Sequence, residues 1–130
     1  MPGVRYRKPD IVATGGGVTR DAACGYGTGI ASARAAVLSN DACVVPPRYV
    51  RMSGTSMATP HVAGICALLL EASRGRGLTP ASQARAVRQA VVGSASAIKG
   101  TPVAACGAGL VDATAALELL TRRARTVVPA

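Results

Sequence analysis

One serine of this sequence stands where a nucleophile would be useful. Ser56 lies in the run GTSMATPHVAG, residues 54–64. The alternating residues 48–52 predict a strand that turns at Ser53 and Gly54, and the apolar residues 62–70 predict a buried helix after the turn. A helix start presents free backbone N–H groups and the positive end of the helix dipole, which stabilise an oxygen that acquires negative charge. Ser56 is therefore a candidate nucleophile for acyl transfer.

A serine hydroxyl needs a base that takes its proton, and the base needs an orienting acid. The only histidine of the chain, His61, follows Ser56 by five residues. On one helix this spacing separates two side chains by about 140° around the axis and about 7.5 Å along it, whereas proton transfer requires about 3 Å. We therefore expect His61 to have a packing role, as a buried or half-buried, hydrogen-bonded side chain.

Residues 54–64 resemble the serine motif of the subtilisin-like serine peptidases (subtilases), G-T-S-x-[SA]-x-P, without a mismatch. Two further segments agree with that family in order and approximate spacing: KPDIVA at residues 8–13 and GAGLVDA at residues 107–113. Thr14 replaces the proline that is usual after the first of them. The resemblance extends over residues 8–119.

This resemblance implies a serine-type endopeptidase in which Ser56 attacks the peptide bond and its own N–H supplies half of the oxyanion hole. It implies an α/β fold, part of a doubly wound parallel sheet that is incomplete here. In the family, the catalytic Asp and His motifs precede the K-P-D segment. We therefore expect both to be absent from this chain, and the chain alone to be inactive. The alternative is a non-catalytic remnant or a half-domain that completes a partner chain.

Other polar residues are candidates for the same site. Asp10 lies in the K-P-D segment and Asp112 is predicted to cap a helix, and neither resembles the family's D-[ST]-G acid. Asn40 lacks the family's surrounding pattern and is not assigned to the oxyanion hole. Met57 is an expected site of oxidation to the sulfoxide, which would crowd Ser56.

Several other elements follow from the sequence pattern. Residues 8–13 predict a short strand and the alanine-rich residues 30–38 one short helix. Thr79 and Pro80 open an amphipathic helix that runs through Val92, after glycines have ended the Ser56 helix. A last helix is predicted over residues 113–121. Residues 1–121 are thus the C-terminal segment of a catalytic domain, and residues 122–130 a basic tail that we expect to be disordered.

The four cysteines suit a secreted enzyme, which the resemblance also implies. Cys24 and Cys43 bracket a glycine-rich loop that a disulfide between them would close, Cys66 is expected to be a buried free thiol, and the pairing that involves Cys106 is open. No cofactor is expected. Calcium is implied by the family alone, since no D-x-D-x-D-G ligand loop is present.

The formal charge is +9, from fifteen Lys and Arg against six Asp and Glu. A basic polyanion-binding protein would show binding that depends steeply on salt. The arginines are scattered, however, and the aromatic side chains among them are few, Tyr6 and Tyr49, which argues against a nucleic-acid partner. The expected partners are a peptide or protein substrate and the missing N-terminal part of the domain. We expect no membrane span and no signal peptide in these residues.

Overall fold

The computed structural model describes residues 8–17, 28–35, 44–45 and 48–125. Within these described ranges, three strands and four helices follow one another: β1 (Ile30–Ala33), β2 (Val44–Val45), β3 (Tyr49–Met52), α1 (Thr55–Ala72), α2 (Pro80–Gly93), α3 (Val103–Cys106) and α4 (Ala113–Arg125). The chain divides into two compact units, one of residues 14–61 and the other of residues 1–13 with 62–130. The mixed α/β class and the partial domain predicted from the sequence are confirmed.

The sheet of the first unit is antiparallel, in the order β1-β3-β2. Ile30 pairs with Met52 at one end of the β1–β3 ladder, and Ala33 pairs with Tyr49 at the other. The chain from β2 to β3 is too short for the crossover of a dozen or more residues that parallel strands require. Parallel pairing occurs among the described residues at one isolated bridge, Val12 with Leu110.

The prediction of one short helix over residues 30–38 is wrong. Residues 30–33 form strand β1, and Arg34 continues the pairing through a backbone hydrogen bond to the carbonyl of Arg48, at 2.8 Å. The ladder to β3 satisfies the backbone groups of this alanine-rich stretch, so tertiary pairing outweighs its local helix propensity.

The core of the second unit lies where α1, α2 and α4 meet. Its buried apolar residues are Leu69, Val87, Ala90, Val91, Ala116 and Leu120. Ser73 is buried at the end of α1, where its hydroxyl donates to the carbonyl of Leu70 at 2.8 Å and accepts from the Gln83 amide at 2.7 Å. Both polar groups of this contact are therefore satisfied inside the core.

Residues 8–13 make an isolated bridge and not the continuous strand predicted. Val12 donates to the carbonyl of Gly109 and accepts from the N–H of Val111, both at 2.9 Å. Leu110 also pairs with Ser96, in the antiparallel sense. The K-P-D and G-x-G segments, far apart in sequence, therefore meet through backbone hydrogen bonds.

The predicted helix caps are confirmed. The Thr79 hydroxyl accepts from the Ser82 N–H at 3.2 Å, with Pro80 as the first residue of α2. An Asp112 carboxylate oxygen accepts from the Ala115 N–H at 2.9 Å. Helix α4 runs to Arg125, four residues beyond the predicted end. None of the helices that the structure describes has the length and apolar character needed to cross a bilayer.

Removing the Asp112 cap tests its contribution to α4. We expect Asp112→Ala to destabilise the first turn of α4 by about 1 kcal/mol, because one N–H loses its acceptor. The measurement is amide hydrogen exchange, in which Ala115 should exchange about fivefold faster. Asp112→Asn keeps an oxygen acceptor and should stay close to the parent. Equal acceleration in both variants would show that the carboxylate charge, and not the cap, stabilises the turn.

Candidate functional site

A sharp turn joins β3 to α1 and carries Ser56. Strand β3 ends at Met52, and Gly54 has a φ of 149°, which L side chains rarely adopt. The Gly54 carbonyl accepts the first helical hydrogen bonds, from the N–H groups of Met57 at 3.0 Å and Ala58 at 3.2 Å. Ser56 is therefore in the first turn of α1, where helical N–H groups have no intrahelical acceptor, and the residue is exposed.

Three consecutive glycines hold this turn from outside it. We call Gly15, Gly16 and Gly17 the glycine segment. The Gly54 N–H donates to the carbonyl of Gly15 at 2.7 Å, and the Ser53 hydroxyl donates to the carbonyl of Gly17 at 2.8 Å. Two adjacent residues of the turn are thus fixed at two points on the glycine segment.

The far side of the glycine segment is held by Thr28. The Gly17 N–H donates to the Thr28 carbonyl at 3.1 Å, and the Thr28 hydroxyl donates back to the Gly17 carbonyl at 2.9 Å. The Gly17 carbonyl therefore accepts two hydroxyl donors, one from Thr28 and one from Ser53. Arg51 adds a contact from β3, a hydrogen bond to the Gly29 carbonyl at 3.3 Å.

The approach between these backbones requires glycine. A Cβ atom on Gly15 would lie 2.6 Å from the Gly54 carbonyl oxygen, the atom that accepts the first bonds of α1. A Cβ atom on Gly16, whose φ is 79°, would lie 2.6 Å from the Ser53 hydroxyl. Contacts this short force the neighbouring atoms to move, so the glycine segment is matched to the turn that carries Ser56.

His61 lies on α1 and bonds to its own helix. Its Nδ1 donates to the carbonyl of Met57 at 2.8 Å. The predicted hydrogen bond is confirmed, but the prediction that the side chain is buried or half-buried is wrong, because His61 is exposed. This intrahelical bond agrees with the helical spacing that excludes His61 as the base for Ser56.

The two other candidate acids have structural partners. Asp10 accepts a hydrogen bond from Lys8 and is 3.5 Å from Arg88, and the Lys8 bond holds the pKa of the Asp10 carboxyl below its ordinary value. Asp112 caps α4. Both belong to the unit that does not include Ser56. Asn40 lies outside the described residues.

The described residues include two free thiols and no cluster of metal-binding side chains. Among the described residues, no group of three or more His, Cys, Asp or Glu side chains could hold a metal ion. Cys66 and Cys106 are both free thiols, as predicted for Cys66, which is half-buried where burial was expected. Cys24 and Cys43 lie outside the described residues.

Sequence reasoning did not identify Ser53 or the glycine segment as parts of this site. The signal that could have identified them is the triple glycine itself, since glycines in series mark a place where backbones approach closely. Ser53 directly precedes the serine motif, and its hydroxyl bonds to the Gly17 carbonyl of the glycine segment.

Comparison with known proteins places the whole pattern in one family. The model of the subtilase family matches residues 3–113. An extracellular protease of Xanthomonas campestris pv. campestris is 39% identical over 98 residues, which are 71% of this chain and 16% of that protein. The thermophilic serine proteinase of Bacillus sp. strain AK1 is 52% identical over 54 residues, 42% of this chain and 12% of that proteinase. The chain thus spans about a sixth or less of these relatives.

A solved structure is also similar to part of this chain. The patellamide maturation protease PatA is 38% identical over 57% of this chain and 28% of its own, with a TM-score of 0.48.

Proposed function

Because the chain belongs to the subtilase family, we propose that it is part of a serine endopeptidase in which Ser56 is the nucleophile. The observation that carries this proposal is the position of Ser56. It is exposed in the first turn of α1, directly after a turn that two outside hydrogen bonds hold in place. The substrate is a peptide bond in an extended peptide or protein.

The chemistry follows from that position. The Ser56 Oγ attacks the scissile carbonyl carbon while a general base takes the hydroxyl proton. The carbonyl oxygen becomes an oxyanion, which accepts a hydrogen bond from the Ser56 N–H at the positive end of α1. The C–N bond then breaks, the proton passes to the leaving amine, and an acyl ester remains on Ser56. Water then attacks the ester carbonyl carbon while the base takes a proton from it, the C–O bond to Ser56 breaks, and the proton passes to the Ser56 Oγ.

The base and its orienting acid come from residues other than these 130. The chain has one histidine, which bonds to the Met57 carbonyl on the helix of Ser56 itself. Asp10 and Asp112 are occupied by an ion pair and by a helix cap. We therefore place the base and acid in the missing N-terminal part of the domain.

The exposed apolar surface of the second unit supports such a part. Leu69 of α1 is 2% exposed, whereas its neighbour Leu68 is 69% exposed. An apolar groove of about 370 Å³ runs between α1 and α2, and Val62, Cys66 and Val91 are among its lining residues. Apolar surface of this extent on a helix is typical of an interface that another element covers.

Two relatives bear on where the protein works. The Xanthomonas protease and a basic protease of Dichelobacter nodosus are both called extracellular. We propose that the enzyme to which this chain belongs is exported as well. The free Cys66 and Cys106 do not require an oxidising compartment, so the proposal stands on the relatives alone.

Labelling with a fluorophosphonate probe tests the proposed function, because the probe loses fluoride only to an activated serine. The protein is prepared as the 130-residue chain and as a fusion behind the part of the Xanthomonas protease that precedes its matched segment. We expect rapid labelling of the fusion at Ser56, identified by peptide mass, and little labelling of the chain alone. A folded fusion is recognised by its sharp thermal transition.

The other outcomes discriminate between the alternatives. A folded fusion that neither labels at Ser56 nor cleaves a peptide would contradict the proposed function and leave the non-catalytic remnant. Rapid labelling and peptide cleavage by the chain alone would overturn the assignment of the base and acid to another segment.

A further inference from the structure

We propose that Ser53 is a positioning residue for Ser56. Its hydroxyl bonds to the glycine segment and so fixes Ser56 for attack. This inference rests on the proposed function, since it concerns the same nucleophile. Ser53 does not touch the reacting atoms. It acts by holding the β3–α1 turn in the geometry that aims the Ser56 hydroxyl and N–H.

The first step of the argument is that two hydrogen bonds hold the turn. One is a backbone bond, from the Gly54 N–H to the Gly15 carbonyl at 2.7 Å. The other depends on a side chain, from the Ser53 hydroxyl to the Gly17 carbonyl at 2.8 Å. The two bonds end on different residues of the glycine segment, Gly15 and Gly17. Together they therefore restrict rotation of the turn as well as its translation. A single bond would leave the rotation free.

The second step is that the Ser53 bond has little to do with satisfying the Gly17 carbonyl. That carbonyl also accepts from the Thr28 hydroxyl at 2.9 Å. An alanine at residue 53 therefore leaves no buried acceptor without a donor, which is the usual source of a large stability loss. What disappears is the connection between the turn and the glycine segment. The consequence should be seen in the reaction rate more than in stability.

The third step is that Gly16 lies against the same hydroxyl. A Cβ atom there would lie 2.6 Å from the Ser53 Oγ, and 3.1 Å from the Thr28 carbonyl oxygen. Gly16→Ala thus displaces the Ser53 hydroxyl by a steric route, with no change at residue 53. When residue 53 is already alanine, the shortest of these contacts no longer exists.

The structure supplies a matched control for Ser53. Thr28→Val removes the other hydroxyl donor to the same Gly17 carbonyl, while the backbone bond from the Gly17 N–H to the Thr28 carbonyl at 3.1 Å remains. Ser53→Ala and Thr28→Val each remove one hydroxyl donor from the Gly17 carbonyl. Only the Ser53 donor belongs to the turn that carries Ser56.

The test measures kcat and KM for a peptide substrate, the rate of fluorophosphonate inactivation, and the thermal midpoint, all in the fusion described above. We expect Ser53→Ala to lower kcat and the inactivation rate by about tenfold, the scale of a misplacement well under 1 Å, with KM unchanged within about twofold. Thr28→Val should keep both rates within about twofold of the parent. Ser53→Thr, which retains a hydroxyl, should recover most of the loss.

The double variant Ser53→Ala with Gly16→Ala gives a second, independent measurement. We expect Gly16→Ala to lower kcat less in the Ser53→Ala background than in the parent, because the two changes break one contact. Equal rates for Ser53→Ala and Thr28→Val would overturn the positioning role. Failure of the proposed function is distinguishable, since the parent fusion would then fold but neither be labelled at Ser56 nor cleave a peptide.

Discussion

We expect Ser56→Ala to abolish peptide hydrolysis by the fusion of this chain with the Xanthomonas segment. We expect kcat to fall by more than about a thousandfold, the general scale for loss of a covalent nucleophile, with the thermal midpoint within about 2 °C of the parent. Stability should hold because Ser56 is exposed and the bonds that start α1 come from the backbone of Gly54. Steady-state hydrolysis of a peptide, with a thermal unfolding scan of the same preparation, measures both quantities.

The matched control is Ser32→Ala, at an exposed serine of β1 in the same compact unit. Like Ser56→Ala, it removes the hydroxyl of an exposed serine, but it does not alter the β3–α1 turn. It should leave kcat at the level of the parent. If Ser56→Ala kept more than a tenth of the parent activity, Ser56 would not be the nucleophile. A loss in both variants would point to unfolding instead.

The turn around Ser56 could be predicted from sequence because its signals are local. An alternating strand, a glycine and an apolar helix follow one another within about twenty residues, and the structure has β3, Gly54 and α1 in those places. The caps at Thr79 and Asp112 were predictable for the same reason, since each depends on a residue three positions further along the chain.

What could not be predicted depends on distant residues. β1 is an alanine-rich stretch that forms a strand only because β3 lies beside it, some twenty residues later. The roles of Ser53 and Thr28 depend on the Gly17 carbonyl, 36 residues before Ser53 and 11 before Thr28. His61 was expected to be buried or half-buried because its helical spacing to Ser56 left it a packing role, but it is exposed, as are other residues of α1. Sequence periodicity shows which side chains are apolar, and it does not show which of them are covered.

Glycine has the same function at two places in this chain. In the first unit the glycine segment lets one backbone approach the Ser53–Gly54 turn. In the second unit Gly107 and Gly109 let the 107–111 backbone approach Asp10 and Ser96. Each of the three segments that resemble the family therefore takes part in a close backbone contact in which one partner is a glycine. The turn that precedes Ser56 is therefore constrained by close backbone packing as well as by the chemistry at Ser56.

Gly107→Ala should disrupt the backbone contact at Asp10 far more than positive φ alone explains. Gly107 has a φ of 60°, and a Cβ atom there would lie 2.3 Å from the Asp10 carbonyl oxygen. That oxygen accepts from the Ala108 N–H at 2.9 Å, and the neighbouring Val12 N–H donates to the Gly109 carbonyl. We expect a local destabilisation of about 3 kcal/mol from strain and displacement together, so that these two amides exchange about a hundredfold faster.

Gly77→Ala separates the steric cause from the conformational one. Gly77 has a φ of 66°, close to that of Gly107, but a Cβ atom there would have no heavy atom within 4 Å. Gly77→Ala therefore has the cost of an alanine in the left-handed conformation, about 1 kcal/mol, without a steric clash. The Ala108 and Val12 amides should exchange at the rate of the parent. Hydrogen exchange reports each amide separately, so the comparison does not require the whole chain to unfold cooperatively. Equal exchange in the two variants would mean that the K-P-D and G-x-G segments do not meet as the structure describes. A selective acceleration in Gly107→Ala would identify their contact as steric in origin, because conformational strain is matched in the control.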